Sequence, residues 1–197
     1  MYYSQFEIAP VQGRNPYELH KLLWKAFPER PDANRDFLFR VDWPRHRAPL
    51  IVLLQSQTEP AALNQPAIRL LRSKPVQAVL QEGMVLRFAL CANPSKRVKD
   101  DSHRRVALYK EEEQLAWLER KMAPAGQLLE SQIMAFRTLY FSKSAQQENT
   151  SHRGKIVTVT FGGILQVTDA KCLNQLLETG VGSAKSFGCG LLTLARA

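Results

Sequence analysis

The chain has 197 residues, of which 45% are apolar, which suffices for a buried core in one large domain or two small ones and argues against a disordered chain. Its 27 Lys and Arg against 18 Asp and Glu give a formal net charge of +9. This balance favours a polyanionic partner such as nucleic acid, and a basic surface that binds nothing is the simpler alternative.

Cysteine usage and the amino terminus bear on where the protein works. The three cysteines are far apart in sequence, which indicates neither a disulfide framework nor a paired-cysteine metal site. The first seven residues lack the basic-then-apolar layout of a secretion signal, and the longest apolar run, residues 50–54, is too short to span a bilayer. We therefore expect a cytoplasmic protein without a membrane partner.

The first half of the chain alternates between strand and helix patterns. The predicted elements are an edge or surface strand at 2–8, an amphipathic helix at 17–27, strands at 37–42 and 50–54, a short helix at 66–71 and a strand at 86–92. Asn15 is the natural N-cap of the first helix, Pro16 its first residue and Pro28 its stop. The order is βαββαβ.

The second half predicts a modified repeat of that order after a linker. Residues 94–103 are rich in turn formers and lack an apolar period, so we place the boundary between domains there. The predicted elements beyond it are a strand at 105–109, a helix at 111–122, strands at 133–141 and 156–161, a hairpin turn at Gly162–Gly163, a strand at 164–167, a helix at 169–179 and a strand at 191–194. The prediction is an α+β protein with two tandem ferredoxin-like (RRM-like) domains, residues 1–93 and 104–197.

One face of the first helix carries side chains suited to phosphate chemistry. At 100° per residue, Tyr17, His20 and Lys21 lie together with Lys25 close by. RNA can be cut by attack of its own 2′-hydroxyl on the adjacent phosphorus, for which histidine can transfer protons and lysine can stabilise the phosphorane without a metal. The alternative is that His20 is an ordinary residue at the edge of the apolar stripe.

Basic side chains outside this helix concentrate in three places. They lie in and beside the linker, before the predicted hairpin turn, and in the last loop: Lys96, Arg97, Arg104, Arg105, Arg153, Lys155 and Lys185. Most protein contacts to a duplex go to its backbone, so these residues are candidates for binding RNA phosphates. Solvated surface charge is the alternative for some of them.

The last loop is glycine-rich, with Gly180, Gly182, Gly188 and Gly190 within eleven residues. Such a loop can present backbone amides to phosphates, although it runs from helix to strand and matches neither a Walker loop nor a Rossmann fingerprint. The alternative is a helix C-cap at Gly180 followed by a tight turn. No metal-binding motif or pair of suitably placed carboxylates is evident, which disfavours a metal-dependent nuclease.

Five co-linear stretches resemble one known family. They are Tyr17–His20, Phe37–Arg40, Ala92–Arg97, Ala116–Lys121 and, most specifically, the glycine-rich stretch from Gly180 into Leu192. Together they resemble the CasE family, the CRISPR-RNA endoribonucleases of Cascade-type systems.

This resemblance implies a fold, an activity and partners. It implies two ferredoxin-like domains and metal-independent, cofactor-free cleavage of precursor CRISPR RNA at the base of the repeat hairpin, giving 5′-hydroxyl and 2′,3′-cyclic phosphate ends. The product would stay bound in Cascade with the other subunits. By the same resemblance His20 is the catalytic histidine, Tyr17 its helper, Lys21 and Lys25 the accompanying cations, and 153–161 the basic hairpin. A subunit that binds the RNA hairpin without cutting it is the alternative function.

Overall fold

The chain forms two compact units. A computed structural model describes residues 1–10, 15–28, 36–43, 48–98, 104–144 and 151–197. Unit 1 comprises Met1–Gln77, Tyr140–Lys155 and Ser186–Gly188, and unit 2 comprises Ala78–Leu139, Ile156–Lys185 and Cys189–Ala197. Both have antiparallel sheets and few helices, as a mixed α/β fold does.

Unit 1 is built on a sheet in the order β2-β3-β1-β5-β4. Its elements are β1 (Tyr2–Ile8), α1 (Pro16–Trp24), β2 (Phe37–Asp42), β3 (Leu50–Ser56), β4 (Asn64–Gln65) and β5 (Ile68–Pro75). The prediction of an edge position for β1 is wrong, because β1 pairs antiparallel with both β3 and β5. Its alternating pattern reports which face is buried and carries no information on how many strands lie beside it.

Local signals define helix α1 well. Asn15 is its N-cap, with the side-chain Oδ1 accepting from the Tyr17 amide at 3.2 Å, and Pro16 is its first residue. The helix ends at Trp24, one turn before the predicted end at Phe27. Its apolar stripe, with Leu19 and Leu23 almost fully buried, packs in a core with the apolar side chains of β1, β2 and β3.

The short helix predicted at 66–71 is instead the start of strand β5. In this strand Ile68 is buried while Arg69 and Leu71 are exposed. Leu70 pairs with Phe6 of the central strand β1. Pairing along β1 satisfies the backbone groups of a segment whose helical pattern was weak, so the sheet overrides the local preference.

Unit 2 holds a sheet in the order β11-β6-β10-β9. The elements numbered in this half of the chain are β6 (Val85–Ala92), β7 (Ser95–Arg97), β8 (Arg105–Ala107), α2 (Glu111–Met122), β9 (Gly126–Ser144), β10 (Ser151–Val167), α3 (Ala170–Thr179) and β11 (Leu192–Arg196). A single core joins α2 and α3 to the sheet, with Leu118, Phe161 and Leu173 fully buried.

The domain boundary predicted at residues 94–103 does not coincide with the boundary between the two compact units. Strand β6, expected in the first domain, pairs with β10 and β11 and therefore belongs to unit 2. The stretch predicted as a linker contains β7, which pairs with β8 as a two-stranded ribbon. Residues 99–103 lie outside the described residues. The turn formers mark a connection within unit 2.

The prediction of a hairpin turn at Gly162–Gly163 is also wrong, since both glycines lie inside the continuous strand β10. A Cβ on Gly163 would lie 2.0 Å from the carbonyl oxygen of Glu130 in β9. Glycine is required here because the backbone of β9 approaches β10 too closely for a side chain. Close approach of a second backbone, and not a turn, accounts for glycine at this position.

No helix among the described residues combines the length and the apolarity that a membrane span needs.

Candidate active site

The candidate catalytic residues lie on and just after α1. Lys21 extends over the ring of Tyr17, with its Nζ 4.6 Å from the ring centroid, and Nζ lies 3.4 Å from Oε1 of Glu18. Lys21 is exposed, and Lys25 is an exposed residue at the C-cap of the helix. Tyr17 and Lys21 are thus in contact on the helix that also carries His20.

His20 is held by aromatic neighbours. Its ring lies 5.8 Å from the ring of Phe37 and 6.4 Å from that of Phe39, the latter nearly parallel, and Trp24 meets it edge-on at 6.3 Å. The residue is partly buried and its Nε2 atom is covered by protein. Because Phe37 and Phe39 are themselves buried in β2, they restrict the orientation of the imidazole.

The centre of the glycine-rich loop contacts Phe39, one of the rings around His20. Gly188 has a φ of +81°, and a Cβ on it would lie 3.1 Å from Cε2 of Phe39. Both the positive φ and the close contact require glycine. Residues 186–188 belong to unit 1 together with α1 and β2, so the loop and the candidate histidine share one aromatic contact.

The end of the β9–β10 hairpin joins this cluster in unit 1. The Nδ2 of Asn15 donates to the carbonyl oxygen of Ser142 at 2.8 Å, and Phe141 packs on Phe187 with ring centroids 4.7 Å apart. Arg153 and Lys155 are exposed and two residues apart on β10. Helix α1, the hairpin end and the loop centre, predicted as separate sites, are thus parts of one unit.

The basic residues expected around the linker lie on the β7–β8 ribbon of unit 2 or, for Arg104, directly before β8. Lys96 forms an ion pair with Glu113 at 2.9 Å, and Arg104 is exposed. Arg97 and Arg105 line a cavity of about 320 Å³. The same cavity is lined by Arg120 and Lys121 of α2, which the sequence patterns did not mark as candidate site residues.

Lys185 and three of the loop glycines have structural partners in unit 2. Lys185 donates from Nζ to the carbonyl oxygen of Thr179 at the end of α3. Gly180 caps α3 with a φ of +75°, and its amide donates to the Leu176 carbonyl at 2.9 Å, as the helix-cap alternative requires. Gly182 and Gly190 also have positive φ, which accounts for the run of glycines by backbone conformation.

Among the described residues, no three His, Cys, Asp or Glu side chains are grouped so that they could hold a metal ion.

The thiol of Cys189 is buried in unit 2. A hydrogen bond with the Cys91 sulfur, aided by burial, raises the pKa of this thiol well above its usual value.

Comparison with known proteins identifies the family. A family model described as CRISPR associated protein matches residues 1–196. The chain is 41% identical to the Cascade subunit CasE of Escherichia coli K12 over 99% of both chains, and 35% identical to the CRISPR-associated endoribonuclease Cse3 of Thermus thermophilus over 92% of this chain and 90% of Cse3. A solved structure of Cse3 bound to a 19-nucleotide RNA matches the full length of both chains with a TM-score of 0.87 and 31% identity.

These matches confirm the family predicted from the five motifs. A family model that covers nearly every residue and a relative this similar along its whole length lead to one conclusion: the chain belongs to the CRISPR-associated protein family, where its relatives are CasE and Cse3.

Proposed function

We propose that this chain is a site-specific endoribonuclease that cleaves precursor CRISPR RNA at the base of the repeat hairpin and stays bound to the product within Cascade, in the cytoplasm. Its relatives support this, since one is named an endoribonuclease and the other a Cascade subunit. The observation that carries the proposal is the position of His20 on α1, beside Tyr17 and Lys21 and in one unit with the hairpin end and the loop centre.

The proposed reaction is attack of a 2′-hydroxyl on the adjacent phosphorus. The bond to the 5′-oxygen breaks, leaving a 2′,3′-cyclic phosphate and a 5′-hydroxyl. His20 transfers a proton in this step, and the exposed ammonium groups of Lys21 and Lys25 stabilise the negative charge that develops on the phosphorane. Tyr17 orients Lys21 through the contact between ammonium and ring. No step requires a metal ion.

We further propose that the two halves are variants of the ferredoxin-like (RRM-like) fold. The order β11-β6-β10-β9, with α2 and α3 between the strands, corresponds to βαββαβ when β6 is taken as the first strand. In unit 1 the order β2-β3-β1-β5 corresponds to the same plan. Residues 57–67, where the second helix of that plan is expected, form no helix. The proposed second domain therefore begins before the stretch 94–103.

The test is cleavage of the repeat RNA by the purified protein in the presence of a chelator, with the fragment ends mapped. We expect His20→Ala to keep RNA affinity within a few-fold while the single-turnover rate falls by about two orders of magnitude or more. His20→Gln is the matched variant, because it fills more of the space against Phe37 and Phe39 but does not titrate. Wild-type cleavage by His20→Gln would refute the assignment, as would loss of wild-type activity in chelator.

The second candidate function is RNA-hairpin binding without cleavage. The covered Nε2 atom of His20 favours it, because a proton donor or acceptor must reach the substrate. This candidate predicts tight binding and intact RNA after prolonged incubation. The proposed enzyme predicts that the second imidazole nitrogen or a small rotation of the ring serves the reaction.

A further inference from the structure

The cavity on unit 2 is lined from three sides. The β7–β8 ribbon contributes Ser95, Arg97 and Arg105, helix α2 contributes Trp117, Arg120 and Lys121, and the start of the glycine-rich loop contributes Gly182 and Ser183. All of these residues belong to unit 2. Among the described residues, the lining thus includes four cations and no acidic side chain.

Among the described residues, none of these four cations has an acidic partner in an ion pair. Neighbouring Lys96, by contrast, is paired with Glu113 at 2.9 Å. Positive charges gathered around one cavity repel each other, and this repulsion opposes folding. An anion bound in the cavity would remove it.

Helix capping explains only half of this arrangement. Arg120 and Lys121 lie in the last turn of α2, where cations interact favourably with the helix dipole. Arg97 and Arg105 are cross-strand partners, so both side chains lie on one face of the ribbon, where two like charges opposite each other are destabilising. The positive charges of the ribbon and of α2 therefore meet around one cavity, and a bound anion would explain this arrangement.

A buried tryptophan and the start of the glycine-rich loop form one side of the cavity. Trp117 is only 3% exposed, and a Cβ on Gly182 would lie 3.0 Å from its ring, so the loop packs directly on the indole. Ser183 is held by a contact between its Oγ and Oδ1 of Asn93 at 3.2 Å. Such a preformed surface loses little conformational freedom when a ligand binds.

We infer that this cavity binds backbone phosphates of the RNA, with Arg120 and Lys121 as binding residues alongside Arg97 and Arg105. The inference rests on the proposed function, because it takes the transcript as the ligand. Four cations on two separate elements around about 320 Å³ exceed what one small anion needs and suit successive phosphates of a nucleic-acid strand. Contacts to backbone phosphates carry no sequence information, so this binding would add affinity without sequence preference.

The experiment compares Arg120→Ala/Lys121→Ala with Lys110→Ala/Lys171→Ala, a control that removes the same charge from exposed positions of unit 2 outside the cavity. The Kd for a repeat RNA hairpin is measured over a range of salt. We expect the cavity variant to raise Kd about tenfold and to reduce the salt slope by about two, and the control to change neither. Arg97→Ala/Arg105→Ala should raise Kd and reduce the salt slope in the same way. This second variant leaves α2 unchanged, so it separates loss of charge from unfolding of the helix. Circular dichroism of each variant checks that the helices are retained.

Several results would overturn the inference. These are an unchanged Kd and slope in both cavity variants, or an equal loss in the control. Calorimetric titration of the wild type with inorganic phosphate separates the sources of the anion: saturable micromolar binding that the cavity variants abolish would assign the cavity to a free anion. If the wild-type protein binds the hairpin without cutting it, the proposed enzyme is refuted. The comparison of Kd between the cavity variants and the control then still tests whether the cavity binds RNA.

Discussion

His20 illustrates how much the neighbours of one side chain matter. Its helix position follows from the sequence, but its ring packs on Phe37 and Phe39, which come from a different element. Those neighbours limit the orientations of the imidazole, and orientation determines whether it can meet a scissile phosphate. The contact between Gly188 and Phe39 extends the same constraint to the glycine-rich loop.

Gly188→Ala tests this contact. The alanine must hold a φ of +81°, and its Cβ would lie 3.1 Å from Cε2 of Phe39. Left-handed strain alone costs about 1–2 kcal/mol, and we expect the loss of stability to exceed this value. We also expect slower cleavage. Gly83→Ala is the matched control, since its φ is +83° and nothing lies within 4 Å of the added Cβ. Chemical denaturation and single-turnover cleavage are the measurements. Equal losses in the two variants would contradict the contact.

The thiol of Cys189 predicts a pH dependence. Its hydrogen bond with Cys91 and its burial raise its pKa, so the folded state favours the protonated thiol. This stabilisation is complete below the usual pKa of about 9 and is lost as pH rises through the higher folded-state pKa. We expect the free energy of unfolding to fall above about pH 9, and Cys189→Ala to make that fall shallower.

The matched variant for this pH series is Tyr3→Phe. Burial raises the pKa of the Tyr3 phenol, partly offset by Arg40, and its usual value is 10.0. Tyr3→Phe should therefore alter the slope only above about pH 10. Denaturation curves at closely spaced pH values separate the two groups, and a Cys189→Ala slope identical to wild type above about pH 9 would argue against the thiol.

At the scale of elements, the long β9–β10 pair depends on two adjacent glycines with different surroundings. Gly163 faces the backbone oxygen of Glu130, whereas Gly162 faces the sulfur of Met134, a flexible side chain that is 63% exposed. Backbone cannot move without breaking the strand pairing, but an exposed side chain can turn away.

This difference predicts unequal effects of two neighbouring substitutions. Gly163→Ala, with its Cβ 2.0 Å from the Glu130 oxygen, should destabilise by about 3 kcal/mol or fail to fold. Gly162→Ala should have a small effect, within about 1 kcal/mol, because Met134 can adopt another rotamer. Thermal and chemical unfolding of both variants measure this. Similar losses would show that the two positions are not distinguished by the approach of β9.

At the scale of the whole molecule, the net charge of +9 governs association with RNA. If about five phosphates are neutralised, the logarithm of the binding constant should fall with the logarithm of salt concentration with a slope of about −4.5. Fluorescence titration of the repeat hairpin at several salt concentrations measures the slope. An unstructured RNA of equal length is the control for the contribution of stem shape, and binding that is indifferent to salt would contradict a phosphate-tracking surface.

Local interactions made much of the fold predictable. Asn15 and Pro16 begin α1, and Asp169 begins α3 by accepting from the Cys172 amide, so these starts follow from residues within one helical turn. The amphipathic spacing places Tyr17, His20 and Lys21 together for the same reason. Strand β2 has the predicted bounds, and its sequence places the apolar residues Phe37, Phe39 and Val41 at every second position.

What depended on distant residues was not predictable in this way. The central position of β1, the membership of β6 in the second sheet and the glycines inside β10 are set by which strands pair, and pairing joins residues far apart in sequence. The convergence of Arg120 and Lys121 with Arg97 and Arg105, and the packing of His20 on Phe37 and Phe39, have the same origin.

The sequence by itself determined the family, the positions of α1, α2 and α3 with the N-cap of α1, the basic character and the helix that carries the candidate histidine, because each of these is encoded by adjacent or helically spaced residues. Only the tertiary structure decided which strands share a sheet, which rings hold the imidazole and which cations meet around one cavity. These properties arise from packing and close approach between segments distant in the chain, for which local patterns carry no signal.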